Sequence, residues 1–330
     1  MPITSRGLIS TTRALSFPEK SLSGSPTSQS SISIDRAKES QTLTLSNGRT
    51  LGFAEYGNAQ GKPLLYFHGY PACRYEGAFH DVGIRYGARV LAIDRPGMGL
   101  STFQPSRKLL DWPGDVAEFA TKLGLRDYRV LGGSGGGPYS LVCAKALPKE
   151  KLKGVGVLSG FAPFEAGTKG MPLGTRVMWN LGAWFPGLIG KYCDWTIVPA
   201  AQNQDPTVLE DLLLKTMNKK LDKTDSSVVS DEKNVKAIVR IIRESFREGS
   251  RGYVEDGKIL TRPWGFDLKD IDFKGVRIFH GDSDQQAPIA MARWMAERIP
   301  GSVLTEWKDY SHFTINNDHV DEVFNVMMEK

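Results

Sequence analysis

The glycine-rich segment around Ser134 constrains the fold of this chain more than any other feature. An apolar run over Tyr128–Leu131 predicts a short buried strand, and a helical pattern over Tyr139–Leu147 follows it. Between them stands Gly132-x-Ser134-x-Gly136, the spacing of a sharp strand-to-helix turn that presents a nucleophilic serine. Glycine is needed at both flanking positions because side chains there would collide across the turn. A glycine-rich turn with an incidental serine is the alternative interpretation.

Strand and helix patterns alternate along most of the chain. Asn47-Gly48 predicts a hairpin turn between two short strands near the beginning. A helix-like segment extends to Tyr86, and a helical stripe follows from Val116 to Leu123. A continuous apolar run, typical of a strand buried on both faces, lies at Pro63–Phe67. Further strands are predicted at Arg89–Ile93 and Gly154–Ser159, and sheet character resumes at Val276–Phe279 and Val303–Trp307. This order predicts an α/β protein with a mostly parallel central sheet flanked by helices.

The alternation stops from Phe161 to about Arg262, where helical patterns dominate. Asp205-Pro206 is a typical helix start, with Asp as the cap and Pro at the first position. Apolar stripes then recur at helical spacing around Leu209 and around Val239. Five aromatic residues precede these stripes, and we expect most of them to pack in a small helical core and some to line a pocket: Trp179, Trp184, Phe185, Tyr192 and Trp195.

Four segments follow from this organisation. Residues 1–40 are expected to be a disordered leader or a presequence, and order is expected to begin near Gln41. Residues 41–161 and 266–330 are assigned to the two parts of the sheet-containing core, and residues 162–265 to an inserted helical cap.

The first 40 residues are rich in Ser and Thr and lack an apolar period. Arg6 and Arg13 stand without acidic neighbours, which fits mitochondrial targeting by residues 1–20. A disordered tail without function is the preferred interpretation. Three widely spaced cysteines make neither a disulfide framework nor a metal site, so we expect an intracellular, cytoplasmic protein.

Charge and hydropathy argue against several classes of protein. The net charge of +5 is small for 330 residues, and no Lys/Arg cluster is interleaved with aromatics as nucleic-acid binding would require. The longest apolar stretch, Leu181–Gly190, is too short to span a bilayer. Nucleic-acid binding and a membrane span are therefore not expected. The oligomeric state is left open.

A serine nucleophile needs a base, and the base needs an orienting carboxylate. His312 follows the last predicted strand, where a loop can reach back over the strand ends. It is the preferred general base, and a loop histidine held by hydrogen bonds is the alternative. His68 and His280 each end a strand before a glycine and are expected to hold loops. His80 and His319 are assigned to helices.

Two carboxylates, Asp282 and Asp284, directly follow a predicted strand and are candidates for the orienting acid. Asp94 is a rival by residue type, but the neighbouring Arg95 and glycines indicate a structural turn. The chain order Ser134, Asp284, His312 is the nucleophile–acid–base order of α/β hydrolases.

Acyl transfer also needs donors for the developing oxyanion. The backbone N–H of Gly135 is one candidate, because it follows the serine directly. The second is the N–H of Tyr70, in the loop His68-Gly69-Tyr70-Pro71 after a buried strand. The glycine of this loop allows the turn that would aim Tyr70 into the site.

These motifs together resemble the α/β-hydrolase superfamily, in its cap-bearing, serine esterase-like branch. The landmarks, in order, are the His68–Pro71 loop, Asp94–Ser101, Gly132–Gly136, Gly281-x-x-Asp284 and His312. They cover the chain from about residue 41 to its end, apart from the cap. The resemblance implies that Ser134 is the nucleophile, Asp284 the triad acid and His312 the base, and it places Asp282 outside the acid position. Ser311 stands where the family usually has glycine.

Departures from particular branches narrow the expected chemistry. Epoxide hydrolases and haloalkane dehalogenases use an aspartate nucleophile, whereas this chain has Ser134. Hormone-sensitive-type lipases carry a run of glycines where this chain has Tyr70-Pro71, and prolyl aminopeptidases usually place tryptophan at the position of Gly135. The resemblance implies a serine hydrolase that cleaves a small or medium apolar carboxylic ester, lactone or thioester through an acyl-enzyme. Its partner would then be a small apolar molecule, and no cofactor or metal is expected. A carbon–carbon bond hydrolase or lyase, and a ligand-binding receptor of the same fold, are the alternatives.

Overall fold

A computed structural model describes residues 35–217, 225, 228, 229 and 231–329. Its eight strands form one sheet in the order β1-β2-β4-β3-β5-β6-β7-β8. The strands are β1 Gln41–Thr44, β2 Thr50–Gly57, β3 Lys62–Phe67, β4 Ala88–Ile93, β5 Tyr128–Gly133, β6 Leu152–Leu158, β7 Arg277–Gly281 and β8 Val303–Trp307. β2 pairs antiparallel with β1 and β4, and the strands from β4 to β8 all pair in parallel. The predicted mostly parallel sheet is confirmed.

The predicted hairpin is also present at the edge of the sheet. Leu43 pairs with Leu51 across it, and Gly48 has a φ of 82° in the turn. That backbone conformation favours glycine, which explains why Asn47-Gly48 was a usable signal.

Helices cover both faces of the sheet. They are α1 His80–Arg85, α2 Trp112–Lys122 and α3 Gly137–Ala146 in the first part of the chain, and, in the last part, three that we number α9 Ile289–Arg298, α10 Thr314–Asp318 and α11 Val320–Met328. Alternate residues of the central strand β5 enter different cores: Val130 packs with α2 and α3, whereas Leu131 packs with α11. Burial on both faces is why this strand reads as a continuous apolar run rather than an alternating one.

A group of helices is inserted between β6 and β7. They are α4 Leu173–Trp184, α5 Pro186–Gln202, α6 Pro206–Met217, α7 Glu232–Ser245 and α8 Arg251–Leu260. Leu209, Val239 and Phe246 belong to a separate buried cluster of this insertion. Asp205 accepts a hydrogen bond from the Thr207 N–H at 2.9 Å before the start of α6, in keeping with the predicted cap.

The helix-like segment that ends at Tyr86 contains the 3₁₀ turn Arg74–Gly77 and the short helix α1. The structure also describes a 3₁₀ turn at Arg36–Glu39, just before the start of order expected near Gln41, and the buried Glu39 forms an ion pair with Arg240. One expectation from the sequence is wrong, and it concerns the aromatic residues of the inserted helices.

Four of the five cap aromatics are exposed rather than packed in a core. Trp184 and Trp195 are 76% and 80% exposed, and Phe185 and Tyr192 are both more than half exposed. Only Trp179 packs inward, against Phe161, with ring centroids 4.8 Å apart. Sequence periodicity identifies an apolar face but does not say whether another element covers it.

The leader prediction and the targeting prediction for residues 1–20 fall on residues 1–34, which lie outside the described ranges. Within the described ranges, no helix has the length and apolarity needed to cross a bilayer.

Candidate active site

The turn after β5 holds Ser134 in a strained backbone conformation. Its φ is 49°, in the left-handed region that non-glycine residues rarely adopt. A Cβ at Gly132 would lie 2.2 Å from the Gly136 carbonyl oxygen, and a Cβ at Gly136 would lie 2.0 Å from the Phe67 carbonyl oxygen. Neither contact is possible, so the two glycines allow the turn to close against β3.

The structure brings Ser134, His312 and Asp284 together from three separate strand ends. The Ser134 Oγ lies 3.1 Å from Nε2 of His312, whose Nδ1 lies 2.7 Å from Oδ2 of Asp284. With Nδ1 donating to the carboxylate, Nε2 keeps its lone pair and accepts from the serine hydroxyl. This is the hydrogen-bond chain that activates a serine.

The loop after β7 fixes the orientation of Asp284. Its Oδ1 accepts hydrogen bonds from the N–H groups of Gln286 and Ala287, each at 2.8 Å, which leaves Oδ2 aimed at His312. Burial alone would lower the pKa of His312, but the Asp284 carboxylate outweighs it and raises that pKa above its ordinary value of 6.5.

The other candidate acids and histidines lie outside the serine–histidine–aspartate chain, although Nε2 of His280 is also 3.5 Å from Oδ2 of Asp284. Asp282 accepts from the Asp309 N–H at 2.7 Å and so ties two loops together. Asp94 is buried in an ion pair with Arg74 at 2.8 Å, as its turn-like sequence predicted. His68 accepts from the Arg95 N–H at 3.1 Å, and His280 Nε2 lies 2.6 Å from the Ala287 carbonyl oxygen. Burial lowers the pKa of both histidines, which keeps them neutral.

The loop after β3 places Tyr70 beside the turn that carries Ser134. A Cβ built on Gly135 would lie 3.2 Å from the Tyr70 backbone nitrogen and 2.6 Å from its Cβ. The amides of Tyr70 and Gly135 are therefore neighbours at the mouth of the turn. Glycine at position 135 is what permits this approach.

A buried guanidinium holds the same loop from behind. Arg95 donates to the carbonyl oxygens of His68 and Gly69, the latter at 2.9 Å. It also pairs with Asp256 of α8 at 2.5 Å, and Asp256 pairs in turn with Arg107. Burial would raise the pKa of Asp256, but the charges of Arg95 and Arg107 hold it far below its ordinary value. The inserted helices are thus linked by charge to the loop that carries Tyr70.

Glu76 is a site residue that the sequence analysis missed. Its Oε1 accepts from the Tyr66 hydroxyl at 2.7 Å and from the Gly69 N–H at 2.8 Å. Burial raises the pKa of its carboxyl, and the side chain lines the same cavity as Ser134 and His312. No motif marks it; the only signal was an acidic residue within a glycine-containing loop after a buried strand.

A cavity of about 360 Å³ opens over Ser134 and His312. The inserted helices supply most of its apolar wall, from α6 and α7, and the core supplies the remainder. The apolar lining residues include Pro71, Leu158, Phe161, Leu213, Met217, Ile238, Ile241 and Ile242. Ser159 adds a buried hydroxyl that has no hydrogen-bond partner among the described residues, and its φ is 47°. Among the described residues, three surface clefts are larger, at about 470, 590 and 380 Å³, but none of them reaches the serine–histidine pair.

Comparisons with known proteins give short sequence matches. No protein-family model matches the chain. A proline iminopeptidase from Xanthomonas citri is 34% identical over 111 residues, 31% of this chain and 34% of that protein. A non-heme chloroperoxidase from Streptomyces lividans is 32% identical over 118 residues, 34% of this chain and 42% of that protein. The chain thus matches only about a third to two fifths of the length of these relatives.

Likeness to solved structures extends over most of the chain. An esterase from Rhodococcus sp. ECU1013 aligns with a TM-score of 0.61 at 20% identity, over 87% of this chain and 97% of its own. An α/β-hydrolase fold protein from Nakamurella multipartita aligns with a TM-score of 0.60 at 19% identity, over 88% and 99%. The chain therefore has the α/β-hydrolase fold, with the helical insertion between β6 and β7.

Proposed function

We propose that this protein is a serine hydrolase acting on small or medium apolar carboxylic esters, lactones or thioesters. The observation that carries the proposal is the hydrogen-bond chain from Ser134 through His312 to Asp284, at the floor of a cavity walled by apolar side chains. The names of similar proteins do not choose the reaction, because they include an iminopeptidase, a chloroperoxidase and an esterase. The choice of reaction therefore rests on the chemistry of the proposed site.

In the proposed reaction, His312 takes the hydroxyl proton while Ser134 Oγ attacks the acyl carbon. Asp284 orients the imidazole and stabilises its positive charge. The tetrahedral oxyanion lies between the N–H groups of Tyr70 and Gly135, and a donor of this kind is typically worth about 3 kcal/mol to the transition state.

Collapse of this intermediate breaks the bond to the leaving group. His312 returns its proton to the departing alcohol or thiol, which leaves an acyl-ester on Ser134. Water then attacks this ester as His312 accepts a proton, and the acid is released with Ser134 restored. His312 gives the proton taken from water to Ser134 Oγ as the acyl–oxygen bond breaks, so the proton that left with the alcohol or thiol is replaced.

The pocket supports an apolar acyl group. Ile238, Ile241 and Ile242 line one wall, and a cavity of about 360 Å³ lies at the small end of the usual range for ligand sites.

The test is hydrolysis of nitrophenyl esters of graded acyl length by the wild type and by Ser134→Ala. We expect turnover that peaks at short or medium acyl chains and is lost in the variant. Absence of turnover with every ester would overturn the esterase proposal. Product analysis on a diketone would then test the carbon–carbon hydrolase, and tight ligand binding without turnover would favour the receptor.

A further inference from the structure

Helices α4 and α5 present an apolar face to solvent. Along α4, Leu173, Val177, Leu181 and Trp184 recur at helical spacing, the pattern that normally marks a packed face. Here Leu173 and Trp184 are 74% and 76% exposed. Phe185 and Leu188 continue the same surface around the corner into α5. We call these six residues the α4–α5 face.

The face is continuous rather than a scatter of single residues. One groove of about 360 Å³ runs along α4, and a second of about 380 Å³ lies between α4 and α5. Leu181 and Phe185 line both grooves and so join them. Isolated exposed apolar residues need no explanation, but a contiguous patch rimmed by polar residues marks an interaction surface.

The charged residues within the segment that carries the face have one sign, and the acidic Glu165 and Asp194 flank this segment. From Ala166 to Cys193 the charged residues are Lys169, Arg176 and Lys191, with no Asp or Glu. With 37 acidic residues in 330, a stretch of this length would carry about three at the chain's average. All three basic side chains are exposed, and none forms an ion pair with another residue in the described part of the chain.

We propose that the α4–α5 face docks this protein on the surface of a membrane that contains anionic lipids. Trp184 and Phe185 at the corner suit the interface, where aromatic rings lie at headgroup level. The leucines would enter the acyl boundary, and Lys169, Arg176 and Lys191 would meet lipid phosphates. The helices lie on the membrane and do not span it.

The charge pattern favours a lipid surface over a second copy of the chain. A two-fold contact through this face would bring the three basic residues against the same three in the partner. Such a contact opposes like charges, whereas an anionic bilayer satisfies them and also accepts the apolar side chains.

Docking in this way has a consequence for the proposed reaction. Trp179, on the inward side of α4, packs on Phe161, and Phe161 lines the cavity over Ser134. The face therefore lies on the outer side of a helix that contacts the cavity wall. This placement suits an apolar ester that is dissolved in the membrane and enters the site from there. The choice of substrate rests on the proposed function, whereas membrane binding itself does not.

The experiment is co-sedimentation of the full chain with vesicles of phosphatidylcholine alone and of phosphatidylcholine mixed with phosphatidylglycerol. We expect binding to the anionic vesicles that weakens as salt is raised, with a blue shift of tryptophan emission. The double variants Trp184→Ser/Leu188→Ser and Arg176→Glu/Lys191→Glu are each expected to lower the partition coefficient at least about tenfold. For the second variant the reason is that one basic residue near an anionic surface raises binding roughly fivefold.

Two control variants separate this face from general effects. Lys151→Glu/Lys153→Glu makes the same change in net charge at exposed positions elsewhere, and Val208→Ser removes an exposed apolar residue of α6. Both are expected to bind like the wild type. Circular dichroism and hydrolysis of a water-soluble ester, if the proposed function holds, report that the variants are folded.

Three results would overturn the proposal. One is wild-type binding no stronger to anionic than to neutral vesicles. Another is an equal loss in Lys151→Glu/Lys153→Glu, which would reduce the effect to net charge. The third is a dimer by sedimentation velocity that Trp184→Ser/Leu188→Ser abolishes, without vesicle binding, which would assign the face to a second copy.

Discussion

Replacing Asp256 by asparagine tests how much the buried ion pairs of the inserted helix α8 contribute to the stability of the fold. Asp256 and Arg95 have no exposed side-chain surface, and Arg107 has almost none. The carboxylate also accepts a hydrogen bond from the Tyr139 hydroxyl at 2.5 Å. Asparagine keeps the size of the side chain but leaves two buried guanidinium groups without their shared counter-charge.

The expected loss is large because the charges are buried. Removing one partner of a buried ion pair costs about 3–5 kcal/mol. The matched control is Asp321→Asn, which breaks the pair with Arg85, where both side chains are about half exposed. That change should cost less than about 1 kcal/mol. The free energy of unfolding, measured by urea titration at neutral pH, compares the two variants.

The pH dependence gives a second, independent readout. The pKa of Asp256 is lower in the folded state than in the unfolded chain, so its ionised form stabilises the fold above the unfolded value of about 3.9. That contribution declines as the pH falls below 4. The difference between wild type and Asp256→Asn should therefore shrink in acid. If Asp256→Asn lowers the free energy of unfolding at neutral pH no more than Asp321→Asn does, the buried charges do not stabilise the fold as expected.

Three further predictions concern the reaction and are checked with nitrophenyl esters. For wild type, kcat/KM should rise with pH through an inflection above 6.5, because the base form of His312 is required and the pKa of His312 is raised. In the same test, Asp284→Asn should lower kcat up to about 10⁴-fold and should lower the pKa of His312 measured by NMR. Glu76→Gln keeps an acceptor for the Gly69 N–H and should retain most activity. Glu76→Ala removes this hydrogen bond from the His68–Pro71 loop and should lower kcat about tenfold, which is less than the loss of an oxyanion donor would cause. Ile238→Trp should fill the acyl cavity and reduce kcat/KM for the longest accepted ester roughly tenfold, while the shortest ester is unaffected.

The central strands of the sheet were predictable because they are buried on both faces. Continuous apolar runs such as Leu64–Phe67 carry a local signal, and the Asn47-Gly48 turn requires a backbone conformation that few residues adopt. The geometry around Ser134 was predictable for the same reason. Gly132 and Gly136 are dictated by contacts within the turn and with β3, so their spacing is visible in the sequence.

Contacts made through an irregular loop or between distant segments left no such signal. Glu76 meets Tyr66 and Gly69 through a loop whose path no local pattern gives. Asp256 joins Arg95 across about 160 positions, and an acidic residue within a helix reads as surface until its partner is known. The prediction for Trp184 was wrong in the opposite sense, because this apolar residue was expected to be buried and is exposed. An apolar stripe on a helix is buried only when some other element covers it.

The central claim is that His312 activates Ser134 as a nucleophile. The most direct measurement is intact and peptide mass spectrometry after treatment with a fluorophosphonate, which phosphonylates an activated serine with loss of fluoride whatever the natural substrate. We expect one adduct on the peptide that contains Ser134, no adduct in Ser134→Ala and much slower labelling in His312→Ala. An unlabelled wild type, or a label that persists in Ser134→Ala, would contradict it.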